Sequence, residues 1–186
     1  KDAPSDEVMN PITNDLFLPQ IKITTNGTIV DEPKVSGNIQ LLEDEVLLEE
    51  YTIGIEYRGS SSQSFDKKSY GFETWDSSNQ DLDVALAGFP EEEDWILYGP
   101  YSDKSLMRNV LIYNLSNAIG RYTSRTKFYE LNINGDFLGT YVLMEKLKRD
   151  NNRIAVEKNN DADISGGYVL KIDKENQHPL LKKRDY

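Results

Sequence analysis

An α+β fold is predicted for this chain of 186 residues, an antiparallel sheet with one main helix packed on it. Three observations predict it. Over residues 51–58 the pattern alternates strictly, with Tyr51, Ile53, Ile55 and Tyr57 on one face and Thr52, Gly54, Glu56 and Arg58 on the other. Over residues 102–118, Leu106, Met107, Val110, Leu111, Leu115 and Ala118 recur at helical spacing. Two strand-like runs, residues 128–133 and 136–144, flank Asn134-Gly135, a dipeptide suited to a tight type I′ turn.

The remaining elements follow in order. Residues 1–15 carry Pro4 and Pro11 among polar neighbours and read as a flexible leader. Residues 21–25 form a short strand closed by Asn26-Gly27, and residues 37–42 a second, followed by an acidic connection. After the 51–58 strand, the small residues from Gly59 to Ser64 make a loop. A strand from Lys67 or Lys68 to Trp75 follows, with Tyr70, Phe72 and Thr74 on one side. Ser102 can cap the helix, Asp103 suits its positive end and Gly120 its stop, and the apolar stripe reads as core. A two-residue turn at Asn134-Gly135 sets Leu131 opposite Leu138, Tyr129 opposite Thr140 and Glu130 opposite Gly139. Short strands at residues 153–156 and 166–173 complete the pattern. One domain over residues 16–175 results, with a polar, basic tail at 176–186.

Composition excludes several kinds of chemistry. The 21 basic against 32 acidic residues leave a net charge of −11, with acid gathered at residues 43–50 and 91–94. Only Lys182-Lys183-Arg184 offers a compact basic run, so nucleic-acid binding is not expected. No apolar run reaches the roughly 20 residues that cross a bilayer as a helix. With no cysteine there is no disulfide, no thiolate nucleophile and no Cys-bound zinc. The single histidine, His178, lies in the tail beside Pro179, a poor position for a catalytic base. Chemistry therefore falls to Asp, Glu, Lys, Arg, Asn, Ser or Tyr, which points to phosphoryl or glycosyl transfer, or to binding alone.

Three constellations could carry such chemistry. Arg58-Gly59-Ser60-Ser61-Ser62, followed by Lys67 and Lys68, joins a loop able to turn N–H groups and hydroxyls toward an anion with cations on the next strand; a soluble hairpin loop has the same composition. Asp103, Arg108 and Asn109 begin the helix and could brace that loop. The strand through Tyr141, Val142, Leu143 and Met144 ends in Glu145, like a strand that leads into a hinge, or like an ordinary core strand meeting solvent. Glu130 and Glu145 are a further carboxylate pair for sugar chemistry, read as sharing a strand face.

Taken together, these segments resemble the CotH kinase family, the atypical kinases named for spore coat protein H. The resemblance rests on Arg58-Gly59-Ser60-Ser61-Ser62 with Phe65-Asp66-Lys67-Lys68-Ser69-Tyr70, on Trp95 with the run from Tyr98 to Asn109, and on the run from Leu131 to Tyr141 with Glu145. Leu18-Pro19 before the first strand also fits, and the likeness extends over about residues 16–172. It implies the N-terminal part of an atypical protein-kinase-like fold that binds ATP with magnesium and phosphorylates Ser-rich proteins, often outside the cytoplasm, at the cell surface or beyond it. It implies that Lys68, with Lys67 as the alternative, contacts phosphate, that Arg58 and Ser60 lie near the nucleotide, and that Glu145 ends the strand entering the hinge. Asp103, Arg108 and Asn109 match the helix motif.

The resemblance also implies catalytic and metal-binding aspartates from a later segment, and the chain reaches Tyr186 before one. Asp161, Asp163 and Asp173 occupy a loop and a strand end, so no metal ligand is assigned. The expectation is a nucleotide-cradling part that is inactive as an isolated chain. A non-catalytic surface or cell-envelope module with the same fold is the alternative.

Overall fold

A computed structural model describes residues 17–158 and 167–170. The described residues form seven strands and one α-helix: β1 (Gln20–Thr25), β2 (Val35–Glu43), β3 (Val46–Arg58), β4 (Ser69–Trp75), β5 (Asp94–Tyr98), α1 (Arg108–Ala118), β6 (Thr126–Ile133) and β7 (Asp136–Glu145). The strands close into a barrel in the order β1-β2-β3-β4-β5-β7-β6. Neighbours pair antiparallel except at the seam, where β1 runs parallel to β6 and Ile21 meets Leu131.

That closure overturns the predicted α+β arrangement of a sheet with a helix packed on it. Alternation along each strand does what it was read to do: Ile53, Ile55, Phe72 and Thr74 point inward and are buried. Because the sheet meets itself, the inward side chains of all seven strands fill the interior. Ile21, Ile23, Ile39, Leu41, Trp95, Leu97, Leu131 and Leu143 are at most 1% exposed. A loop after β4 caps one end with Leu86 and Phe89, the latter stacked on Trp95 at 6.0 Å. The core is complete without the helix.

The helix is correspondingly shorter and differently turned. Leu106 adopts a φ of 61°, in the left-handed region, so regular helix starts at Arg108 rather than near Ser102. None of its residues is buried, and most of the stripe read as core faces outward, with Leu111 56% and Leu115 53% exposed and only Leu106 and Val110 half-buried. Half-buried Asn109, Val110, Tyr113, Ser116 and Asn117 make the opposite face.

Two further expectations shift. The acidic stretch is not a loop: β3 begins at Val46, and β2 and β3 continue as a ribbon turning at Asp44-Glu45, both with positive φ. The β6–β7 turn falls at Asn134-Gly135, with φ of 53° and 91°, as the dipeptide requires. Its register differs by one, with Leu131 opposite Gly139, Glu130 opposite Thr140 and Tyr129 opposite Tyr141, because the ladder is irregular between Leu131 and Asn132. Asn132 pairs with Phe137, which leaves Leu138 as the extra residue, and Gly139 takes a φ of 80° beside it. Residues 153–156 form no strand, only a bridge between Arg149 and Ile154. Residues 167–170 carry no strand either, and the rest of the 166–173 segment lies outside the described residues. So do the leader to residue 16, Asp161, Asp163, Asp173, His178 and the basic tail.

Two substitutions distinguish a core built by strands from one built on the helix. Ile23→Ala, at the seam strand, is expected to lower unfolding free energy by about 2–5 kcal/mol, whereas Leu111→Ala on the exposed helix face changes it by less than about 0.5 kcal/mol. Denaturant titration of both variants checks this.

Candidate functional site

Antiparallel order gathers the loops on one barrel rim. The ends of β1, β3, β5 and β6 and the starts of β2, β4 and β7 meet there. The Gly/Ser loop, the segment after Tyr98 and the Asn134-Gly135 turn, far apart in sequence, thus share one end.

The Gly/Ser loop is fastened rather than loose. Gly59 has a φ of 113°, and a β-carbon there would run into the Ser62 side chain. Residues Ser61–Ser64 form a 3-10 turn. The Gln63 amide donates to Asp31 at 2.6 Å and to the Gly59 carbonyl at 2.8 Å, and the Phe65 ring stacks on Tyr101 at 4.8 Å. At the start of β4, the Tyr141 hydroxyl donates to the Lys68 carbonyl at 2.9 Å, and the Gly99 N–H donates to the Ser69 hydroxyl at 3.0 Å. Gly99 must be glycine, since a β-carbon would lie 2.5 Å from that same Lys68 carbonyl.

This clasp sets the two lysines apart. Lys68 bends back on its own loop and donates to the Gln63 carbonyl at 2.7 Å. Lys67 turns toward the barrel, its ammonium 4.3 Å from the centre of the Tyr141 ring and 3.0 Å from the Leu138 carbonyl. Burial pulls the Lys67 pKa below the ordinary lysine value. Neither lysine, nor Arg58, has a carboxylate within ion-pair distance among the described residues. Tyr57, Tyr70 and Tyr141 form a row, with ring centres 5.7 and 6.1 Å apart. The row leads from Lys67 toward a cavity of about 500 Å³ at the rim, lined by Tyr57, Tyr70, Asn134, Asp136 and Leu138 among others. Burial pushes the Tyr70 hydroxyl up to about 12, so it stays a neutral donor.

Of the other anticipated residues, Arg58 and Ser60 lie exposed at the loop's start. Asp103 is buried and organises the approach to α1. It accepts from the Ser105 hydroxyl at 2.6 Å and the Ser105 N–H at 3.0 Å, and from the Arg108 N–H at 2.8 Å, contacts that hold its carboxyl below the usual range. Arg108 reaches back to Asp103 at 3.5 Å, and Asn109 is half-buried one residue on.

Glu145 is at the far end of β7, away from the lysines. It is fully buried, and accepts from the Arg125 side chain at 2.6 Å, the Arg125 N–H at 2.8 Å and the Tyr122 hydroxyl at 3.1 Å. It follows the inward parity of Tyr141 and Leu143, while Glu130 alternates with inward Tyr129 and Leu131 and so belongs to the outer face. The two carboxylates do not share a face, which removes the glycosidase pairing.

The same far end holds a cluster that sequence reading missed. Glu92, Glu93 and Asp94 have oxygens within 4.8 Å of one another, and the Lys148 ammonium sits among them, bonded to Glu92, to Glu93 at 2.6 Å and to Asp94 at 3.0 Å. Arg153, fully buried, bonds Glu92 at 3.1 Å, donates to the carbonyls of Asp94 and Lys146 at 2.7 and 2.8 Å, and lies over the Trp95 ring. The signal available was charge alone: a basic run after β7 to answer the acid before β5.

The CotH kinase protein family model matches residues 55–186. The chain belongs to the CotH kinase protein family. The matched span begins inside β3 and takes in the clasped loop, Lys67 and Lys68, the Asp103 approach to α1 and all of β7. No curated protein matches the chain. The CotH match therefore covers both barrel ends, the lysine rim and the ion-pair cluster alike.

The cluster makes folding pH-dependent. Burial works to raise the Glu93 pKa, but the hydrogen bond and charge of Lys148 help hold it at about 2, against an ordinary 4.5. A carboxylate lowered on folding stabilises above its unfolded value and loses that contribution as pH falls through its folded one. Burial raises the Glu92 pKa in spite of the Lys148 and Arg153 cations beside it. Lys148→Met is expected to destabilise by about 3 kcal/mol at neutral pH, because it leaves buried carboxylates short of a cation. The gap from the unmodified chain should narrow as pH falls from about 4.5 toward 2, where those carboxylates protonate. Thermal melts of both proteins across that range check it.

Proposed function

We propose that the chain is the nucleotide-cradling part of a CotH-like atypical protein kinase, with the lysine rim of the barrel holding the phosphates of ATP. The observation that carries this is Lys67, a desolvated ammonium with no carboxylate partner, fixed beside Gly139 at the foot of a Gly/Ser loop. In a chain of net charge −11, cations left without acidic partners stand ready for an anion from outside. Each lysine donates to one backbone carbonyl, but Lys67 turns toward the barrel end while Lys68 bends back over its own loop, so Lys67 is the phosphate contact. Arg58 and the Ser60 hydroxyl are exposed at the same loop and supply further donors.

The donor set fits the phosphates, and among the described residues no group of three acids stands beside it for a metal. Asp103 is bonded to Ser105 and Arg108, and Asp31 accepts from Gln63. Among the described residues the one group of acids close enough for a metal is Glu92-Glu93-Asp94 at the opposite end, where Lys148 already sits. Bound nucleotide would supply the transferable phosphoryl group. The chain's own part is to orient it through Lys67 and the loop and to balance its charge. Transfer to Ser or Thr of a protein substrate, and a location at the cell surface or outside the cell, rest on the CotH resemblance.

A second reading, a non-catalytic surface or cell-envelope binding module on this fold, draws support from the same lack of an assembled metal-ligand set at the lysine rim.

Calorimetric titration with ATP tests the proposal. Lys67→Met is expected to weaken ATP binding by roughly 10- to 100-fold, the range for a lost hydrogen bond to a charged group, and Lys68→Met by less. Absence of ATP binding by the unmodified chain, or equal binding by Lys67→Met, would overturn it.

A further inference from the structure

The outward stripe of α1 has no counterpart in the barrel's own packing. Met107, Leu111, Ile112, Leu115 and Ile119 are each more than half exposed. A contiguous apolar surface of this kind marks an interaction site. The sequence around it is basic, with Asp103, already paired to Arg108, just before it. From Lys104 to Tyr129 the sequence contains no acidic residue, and exposed Lys104, Arg108 and Arg121 flank the stripe.

A second surface on the same molecule has the opposite character. Beyond the barrel, β2 and β3 continue as a ribbon: β3 pairs with β4 only from Thr52 onward, so Val46 to Tyr51 have a ladder partner on one side alone. Val46, Leu47 and Leu48 are 61%, 47% and 58% exposed. Around them are Glu43, Asp44, Glu45 and Glu50, also exposed; Lys22 of β1 pairs with Glu45 at 3.1 Å, and the sequence from Val35 to Tyr57 contains no basic residue.

We propose that the α1 face docks the acidic ribbon tip of a second copy of this chain. Each surface presents an apolar centre that water leaves exposed, and each has a charged surround opposite in sign to the other's, which sets orientation and rejects like-with-like contact. The two patches are different parts of one molecule, so the contact is heterologous: a copy engaged through its helix keeps its ribbon free for the next, and growth proceeds head to tail. Both patches are small, which places self-association at roughly 10–100 μM rather than in the nanomolar range.

Sedimentation of the 186-residue chain over that concentration range, with two surface variants, tests this. Leu111→Gln with Leu115→Gln alters the helix face, and Leu47→Thr with Leu48→Thr alters the ribbon. Ile112→Gln with Ile119→Gln is a second helix variant, should the first fail to fold. The unmodified chain is expected to show mass rising past a dimer with concentration and falling back at high salt. Either variant alone should stay monomeric, with association weakened about tenfold or more. Mixed, a helix variant and the ribbon variant still share one intact pair of faces, so they should form a 1:1 dimer and nothing larger. A chain that remains monomeric throughout overturns the proposal, as does a ribbon variant that still dimerises through helix against helix, or a mixture that does not pair.

Discussion

Everything in this structure depends on four residue pairs at the seam, where β1 lies parallel to β6 from Gln20–Glu130 to Ile23–Ile133. Without them the seven strands are an open, twisted sheet that would need another layer to cover its apolar face. With them the sheet covers itself. Closure removes β1 and β6 as free edges, supplies a dry interior for Trp95 and the surrounding Ile and Leu side chains, and makes a helical layer unnecessary. It also explains why an 11-residue helix can hold its apolar side to water: the core does not need it.

The two ends of the barrel divide the work. One is closed by charge: Lys148, Arg153 and Arg125 hold Glu92, Glu93, Asp94 and Glu145 in a network whose members are mostly paired and buried. Such networks rigidify when satisfied and are costly when one member is lost. The other end is held by hydrogen bonds to backbone, through Tyr141, Ser69 and Gly99, and leaves Lys67 and Lys68 without a carboxylate among the described residues. The β7 strand joins the two, with Tyr141 under Lys67 near one rim and Glu145 at the other.

Local chemistry was legible in the sequence, and long-range chemistry was not. Alternation at Tyr51 to Tyr57 placed Ile53 and Ile55 correctly because a strand's period is a property of a few residues. The Asn134-Gly135 turn was legible for the same reason, yet the register beyond it was not, since the extra residue at Leu138 is fixed by how β7 meets its neighbours. The helix stripe was misassigned because spacing shows that apolar residues share a side, never which side faces the core. The seam joins residues more than a hundred positions apart and leaves no local trace. Composition singles out the segment holding both lysines, but only packing against Tyr141 and Gln63 shows that the two point different ways. Lys148 and Arg153 escaped notice because Glu92, Glu93 and Asp94 are more than fifty residues away.

The seam also bears on how the domain is bounded. The family match opens at Ile55, inside β3, whereas the barrel is finished by β1, β2 and the first half of β3, all upstream of that point. A polypeptide begun at Ile55 would strip β6 of its parallel neighbour and leave only a stub of β3 against β4. Two unpaired strand borders and the uncovered flank of Trp95 and Leu131 would then invite aggregation. The closed barrel of this protein therefore begins at Gln20, some thirty-five residues ahead of the stretch by which its kinship is recognised.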